Sequence, residues 1–384
     1  MNDKLNPVMP SAPATEQLPL FRKFPALKEK LPYVSLAMLP TPVEKVEQLG
    51  TAIGLKHLFM KRDDLSGDIY GGNKVRMLEF LLGSALQRNA REVMTMGYAG
   101  SNQALALALY ADRLGLKSSS YLLPQANAHY VRRNLLASVH THARLYACNY
   151  VSIVGRMLYG LTRATLQNKR LPGFIQPGGS SPLGIVGYIN AALELKEQID
   201  AGLIPEPDRI YVPLGSMGTT IGLMLGLKVA GVRSRVIAVR VLEEIFSSPW
   251  LLRRRYRATS AFLHRLDPSF PKLDCPMESL EINNDYLGDG YARFTPKDVE
   301  AAKLMREHCG IIMSGTYSAK AFAALVGDAR KEILKDQTIL FWNTYNSREL
   351  SAMTDGMDYH LLPQGFHRYF EGDVQPLDKD GYDR

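Results

Sequence analysis

The sequence alternates short apolar strands with helical segments, and that alternation restricts the chain to a handful of folds. Residues 92–96, 118–123 and 143–147 read as strands, with helices at 102–114 and 129–139 between them. The rhythm resumes with strands at 210–213, 236–241 and 338–342 and helices at 220–230, 296–308 and 318–334, the second of these helices opened by Thr295-Pro296. Parallel strands joined through helices require right-handed crossovers, so the expected fold class is α/β with doubly wound parallel sheets. At 384 residues there is room for two such units. Helices at 150–166 and 184–198 flank a turn at Pro172-Gly173 and the segment Gln176-Pro177-Gly178-Gly179-Ser180, where the chain is expected to return from a smaller unit to a larger one. The expected division is a small α/β unit over 75–179 and a large one over 41–74 and 180–384, which begins with a helix at 41–49 and a strand at 57–61. Ahead of both, residues 1–40 carry seven prolines, too many for an ordinary helix. They are expected to form an extended arm that wraps the body or a second subunit, with the first fifteen residues mobile.

Charge and cysteine content exclude several functions. The net charge of +8 raises nucleic acid as a partner, but the cations are dispersed. One run stands out, Arg253, Arg254, Arg255, Arg257 and Arg265, and it reads as a solvated helix face or a subunit contact, so no nucleic acid is expected. Cys148, Cys275 and Cys309 suit neither a disulfide framework nor a zinc knuckle. No metal is expected, and the setting is expected to be reducing and cytoplasmic. No segment reaches the roughly 18 to 20 apolar residues needed to cross a bilayer, and the N-terminus has no basic region followed by an apolar run.

The chemistry gathers in three places. Gly71-Gly72-Asn73-Lys74 immediately precedes a helical apolar pattern at Val75, Leu78, Leu81 and Leu82, and its glycines let the backbone pass close to a flat ligand or take φ > 0. A lysine held there and partly desolvated is neutral enough to form a Schiff base with an aldehyde, although a surface lysine at a helix start would read the same. Ser101-Asn102-Gln103 opens the next helix, where Ser101 can cap and Asn102 can donate from its amide. Finally, a strand, the loop Gly215-Ser216-Met217-Gly218-Thr219-Thr220 and a helix aim free backbone N–H groups at an anion. No Lys-Ser or Lys-Thr follows the second glycine, and Met217 stands where the dinucleotide fingerprint has glycine. The plainer reading is a tight turn with glycines for packing.

Together these motifs resemble the pyridoxal-phosphate enzymes of the D-cysteine desulfhydrase and 1-aminocyclopropane-1-carboxylate (ACC) deaminase family, from about residue 39 to 344. The resemblance implies fold type II, the tryptophan synthase beta-like fold, a homodimer, and pyridoxal 5'-phosphate carried on Lys74. It further implies that Asn102 and Ser318 contact the cofactor ring while Gly215, Ser216, Met217, Gly218 and Thr219 hold its phosphate. Ser101 would stand near the reacting carbon, and Gln103 would join Ser101 and Asn102 in binding the substrate, taking its carboxylate. Tyr291 and Tyr317 match the family's active-site tyrosines, and a phenol there can donate to a leaving group or take a proton.

At the position of Ser318, which partners the pyridine nitrogen, ACC deaminase has glutamate and D-cysteine desulfhydrase a neutral hydroxyl. A hydroxyl makes the ring a weaker electron sink, which suffices for β-elimination and suits cyclopropane opening poorly. Two segments depart from the family pattern. Asn343-Thr344-Tyr345-Asn346 stands where it has H-T-G-G, and Ser314-Gly315 where it has Asp-Pro. The expected activity is α,β-elimination from a small amino acid, D-cysteine first, giving a keto acid and ammonia. ACC deaminase is one alternative, and a catalytically silent binding protein on the same fold is another.

Overall fold

A computed structural model describes residues 18–381. Its strands form two sheets, and the chain crosses from one to the other and back. The six-stranded sheet has the order β1-β2-β10-β7-β8-β9, with β1 at Val43–Lys45, β2 at Leu58–Lys61, β7 at Arg209–Leu214, β8 at Arg235–Arg240, β9 at Leu280–Asn283 and β10 at Ile339–Trp342. All its pairs are parallel except β1 with β2. The four-stranded sheet is parallel throughout, in the order β5-β4-β3-β6, with β3 at Glu92–Tyr98, β4 at Lys117–Leu123, β5 at Arg144–Ala147 and β6 at Gly173–Ile175. Helices cover both faces of the large sheet, so its inner strands are apolar through their middles, with charged residues only at their ends. Met60, Ile210, Val212, Leu340 and Trp342 are fully buried.

Several elements differ from the sequence expectation, each for a local reason. The helix expected at 41–49 is instead strand β1 followed by a helix at Glu47–Ile53, because Val43–Lys45 turns back to pair antiparallel with β2. The expected turn at Pro172-Gly173 opens β6, an edge strand too short to show a period. The extended arm is corrected over its described part. Pro19–Lys23 and Pro25–Lys30 are short helices, each with proline at its first position, where the missing N–H costs nothing. The expectation for the first fifteen residues lies outside the described residues. The segment is tied to the body: the Leu20 amide donates to Asn190 Oδ1 at 3.1 Å, and Glu79 Oε1 accepts from the amides of Leu36 and Ala37 and from the Tyr33 hydroxyl.

The helices at Asn73–Gln87 and Pro182–Asp200 pack together over β2 and β10 around four buried charges. Arg76 Nη2 meets Asp63 Oδ1 at 2.7 Å, Arg76 Nη1 meets Glu194 Oε2 at 2.9 Å, and Lys61 Nζ meets Glu194 Oε1 at 2.6 Å. Two cations and two carboxylates cancel. Neutral donors fill the rest of the carboxylates' capacity: the Tyr188 hydroxyl and the Trp342 indole both donate to Asp63 Oδ2, and the Thr41 hydroxyl donates to Asp63 Oδ1. Burial works to raise the Glu194 carboxyl, but Arg76 and Lys61 outweigh it and bring it down to about 2. The contribution of Glu194 to stability is therefore complete above its unfolded pKa of ~4.3 and is lost as pH falls through about 2. Replacing Arg76 by Met leaves two carboxylates facing one cation in a buried site. Urea unfolding at pH 7 should show Arg76→Met less stable by about 3–5 kcal/mol; a loss under 1 kcal/mol would mean that the network carries no such role.

Candidate active site

A cavity of about 350 Å³ opens beyond the C-terminal ends of β3, β7 and β10. Strand ends of parallel sheets gather there, and the loops that follow them are free to carry side chains. The walls come from both sheets: Tyr98 at the end of β3 and Ser101–Gln103 after it, Gly215–Thr219 after β7, and Thr344 and Tyr345 after β10. Lys74, Tyr291 and Tyr317 complete the ring of site residues expected from sequence. Ser318 alone among them is not a lining residue. It is fully buried, and its Oγ accepts from the Ser314 amide at 2.9 Å.

The lysine loop is held from several directions. The Gly72 amide donates to the Asp63 carbonyl at 2.8 Å, the Asn73 amide to the Thr344 carbonyl at 3.1 Å, and Asn73 Nδ2 to Thr219 Oγ1 at 3.0 Å. The two glycines serve protein contacts. A Cβ on Gly71 would lie 1.9 Å from the Asp64 carbonyl oxygen, and Gly72 takes φ 91° with the Thr344 carbonyl oxygen 2.7 Å from where its Cβ would be. Lys74 Nζ then reaches the Gly178 carbonyl at 3.1 Å and no carboxylate. Burial lowers its amine to about 8.

The glycine loop is open to an anion. Among the described residues, the only amide from Gly215 to Thr220 with a protein acceptor is that of Gly218, which donates to Ser180 Oγ at 3.1 Å. Ser180 in turn donates to Ser216 Oγ at 2.7 Å, and Met217 takes φ 71° as the N-cap of the helix at Gly218–Ala230. Arg255 Nη1 donates to the Ser216 carbonyl at 3.1 Å. Sequence reading placed the whole arginine run on a solvated face or a subunit contact. Arg253, Arg254 and Arg257 are exposed, whereas Arg255 turns inward to the loop. Its i, i+1 neighbours differ in direction because a helix turns 100° per residue, and the helical phase of the run is the signal that would have found it. Ser180 was legible only as part of a glycine-rich segment.

The polar groups of the Ser101 turn are prepared for a ligand. Ser101 Oγ caps the helix at Asn102–Arg113 by accepting from the Ala104 amide. Asn102 Oδ1 accepts from Asn134 Nδ2 at 2.9 Å, which leaves the Asn102 Nδ2 donor for the cavity. Gln103 is buried with neither its Nε2 nor its Oε1 bonded to any protein group. An amide left that way is costly unless a ligand completes it. The Tyr291 and Tyr317 hydroxyls bond to each other. Burial pushes Tyr317 up to about 12, while its bond to Tyr291 works the other way; burial and Tyr317 together push Tyr291 well above its ordinary value. Both phenols are protonated at neutral pH.

A buried amine without an acid partner, a row of free amides and an unpaired amide side chain fit an aldehyde-bearing, phosphorylated group with a flat ring. Because the folded pKa of Lys74 lies below its unfolded value of ~10.4, the folded protein carries a poorly solvated charge below pH 8, a cost that fades as pH rises to about 10.4. In cofactor-free protein, Lys74→Met should therefore raise the unfolding free energy by about 1–3 kcal/mol more at pH 7 than at pH 10. A gap independent of pH in urea titrations would contradict this.

Residues 34–344 match the family described as pyridoxal-phosphate dependent enzyme. Nocardicin C-9' epimerase of Nocardia uniformis subsp. tsuyamanensis is 33% identical over 337 residues, covering 86% of this chain and 98% of its own. D-cysteine desulfhydrase of Klebsiella pneumoniae is 30% identical over 331 residues, covering 84% and 96%. A crystal structure of an ACC deaminase homologue superposes with a TM-score of 0.71 at 30% identity, covering 84% of this chain and 94% of that one. With the match running through both sheets and every wall of the cavity, the chain belongs to the pyridoxal-phosphate dependent enzymes of fold type II.

Proposed function

We propose that the protein is a lyase that takes the α-proton from a small amino acid and expels a β-substituent, so that a keto acid and ammonia are released. The observation that carries this reading is the Lys74 amine, buried without a carboxylate partner and facing the same cavity as the free amides of the glycine loop. When bound, pyridoxal phosphate supplies the electron sink for the pair left at Cα. Lys74 Nζ would hold its aldehyde carbon at rest and accept the α-proton once substrate has displaced it. The amides of Ser216, Met217 and Thr219 would hold the phosphate, with Arg255 fixing the loop through the Ser216 carbonyl. Asn102 Nδ2 would donate to the ring hydroxyl oxygen. The Gln103 amide would take the substrate carboxylate beside Ser101. Tyr317, protonated at neutral pH, would give its proton to the departing group, and the Tyr291 hydroxyl would steady the phenolate that results. The Cα–H pair becomes the Cα–Cβ double bond, the leaving group departs with its own pair, and the unsaturated amine hydrolyses in water.

Among the described residues, Lys74 is the only charged side chain that lines the cavity. With no carboxylate among those lining residues to keep the ring nitrogen protonated, elimination is favoured over ring opening. Ser318 Oγ accepts from the Ser314 amide and keeps its own proton for that nitrogen, but it lies behind the cavity wall and would have to come forward to reach it. A second reading, epimerisation at Cα, is favoured by the 33% identity to an epimerase over 86% of the chain. A homodimer, implied by the family resemblance, and a cytoplasmic setting, expected from the three dispersed cysteines, are part of the same proposal, and no helix of the described residues is long and apolar enough to cross a membrane.

Borohydride reduction of protein loaded with pyridoxal phosphate should add the cofactor mass to the peptide carrying Lys74. D-cysteine should yield pyruvate and sulfide, and Lys74→Ala should lower kcat by at least about a thousandfold. Release of 2-oxobutyrate from ACC would instead establish ring opening. Exchange of the α-proton in D2O with inversion and no keto acid would establish the epimerase. An unmodified Lys74 after reduction would remove the enzyme reading altogether.

A further inference from the structure

The cavity is built from two unlike parts. Its polar groups lie in short stretches, Asn73-Lys74, Ser101–Gln103 and Gly215–Thr219, which the proposed chemistry uses. Another part of the wall is apolar and aromatic, and includes Leu123, Ile153, Leu242, Phe246, Tyr98 and Tyr150. Tyr98 is fixed in place, its ring 4.4 Å from that of Tyr291 and its hydroxyl 3.4 Å from that of Tyr150. Two rings of this wall are left largely in water: Tyr150 is 66% exposed and Phe246 47%. Apolar surface continues past them, at Val151 and Ile245, which are 92% and 78% exposed.

We propose that the β-substituent on the amino-acid substrate is bulky, uncharged and aromatic or branched apolar, received against Tyr98, Leu123, Tyr150, Ile153, Leu242 and Phe246, so that D-cysteine is accepted as a poor substrate. The proposal rests on the reading of the cavity as an amino-acid site, and it names the substrate class. A thiol-bearing side chain with one methylene would leave the rim rings of Tyr150 and Phe246 wet. A ring or branched side chain covers them and removes its own apolar surface from water. Among the described residues no lining side chain offers a substrate charge a partner: the wall holds no Asp, Glu, His or Arg, its one lysine is taken by the chemistry, and Glu243 behind the wall already accepts from the Tyr291 amide. A single buried methylene changes selectivity by roughly tenfold or more, so a phenyl group should exceed a methyl group by at least that much.

The test is a panel of both enantiomers of alanine, cysteine, phenylglycine, phenylalanine, aspartate and lysine, given to the holoenzyme in D2O. Loss of the α-proton is followed by NMR, a readout that does not depend on whether a β-group leaves. The expected result is kcat/KM for phenylglycine or phenylalanine at least tenfold above alanine and cysteine, with aspartate and lysine below all of them. Exchange that is as fast with alanine or cysteine as with the aromatic amino acids overturns this proposal and leaves the amino-acid site standing. Absence of exchange from every member overturns both. Phe246→Ala should lower the phenylalanine-to-alanine ratio about fivefold, following from the loss of one apolar contact face. Phe246→Leu serves the same comparison if the alanine variant fails to load cofactor, and a ratio that does not move in either removes Phe246 from the substrate wall.

Discussion

Arg76 is the residue on which the position of the reactive lysine depends. It stands two residues after Lys74 on the same helix, and its guanidinium spans Asp63 from the end of β2 and Glu194 from the helix at Pro182–Asp200. Asp63 also closes the lysine loop through its backbone, since its carbonyl accepts the Gly72 amide. Side chain and main chain of one residue thus fix both ends of the Gly71–Arg76 segment to the large sheet. An isolated charge at this depth would be prohibitive, but Arg76 and Lys61 against Asp63 and Glu194 sum to zero and every one of them is hydrogen-bonded. The buried network specifies a position more than it adds stability, because an apolar cluster of the same volume would pack as well and would not orient the loop.

The two lysines of this region show how differently the same side chain is used. Lys61 sits between Glu194, the Thr41 carbonyl and Gln198, with all three donors occupied. Lys74 has one carbonyl and no counter-charge. A partner carboxylate would stabilise the ammonium form and take away the nucleophile. Among the described residues no acid lines the cavity, and the effect on protonation follows: with desolvation unopposed, Lys74 comes down to about 8 while the tyrosines stay protonated. Near neutral pH the phenols keep their protons, while the Lys74 ammonium gives up its proton more readily than an ordinary lysine and the neutral amine grows in as pH approaches 8.

Much of this was legible in the sequence, because periodicity and glycine placement are local. The alternation of strands and helices, the Thr295 cap with its capping box to Asp298, and the strand–loop–helix at Gly215 are each written within fewer than twenty residues. What escaped depends on contacts between distant segments. Strand β1 exists because β2 is beside it, and the inward turn of Arg255 is meaningful only because the Ser216 carbonyl lies across from it. The proline-rich segment was misjudged for another reason. Proline interrupts a helix but also begins one, and Pro19 and Pro25 occupy the one helical position that tolerates them. Gln103 was assigned from its place in the Ser101 turn, yet the feature that makes it informative, two unpaired polar atoms in a buried side chain, belongs to the folded chain alone.

The departure at Asn343–Asn346 bears on whether the fold is kept for catalysis. A pair of glycines in that position would leave the backbone loose beside the lysine loop. Here Asn346 Oδ1 accepts from the Gly71 amide at 2.6 Å and from the Arg348 amide at 3.0 Å, and its Nδ2 donates to the Arg348 carbonyl at 2.8 Å. Tyr345, its neighbour, lies in the cavity wall with its hydroxyl held by Arg133. Both larger side chains tighten the segment that carries Lys74, and neither fills the space before the glycine loop with charge. A chain that had given up catalysis would have no reason to hold a buried lysine that lacks a counter-charge more firmly. Side chains that add tethers at this point, while the amine keeps no counter-charge and, among the described residues, the loop amides and the Gln103 amide stay open around it, weigh against a silent binding role and for a site in use.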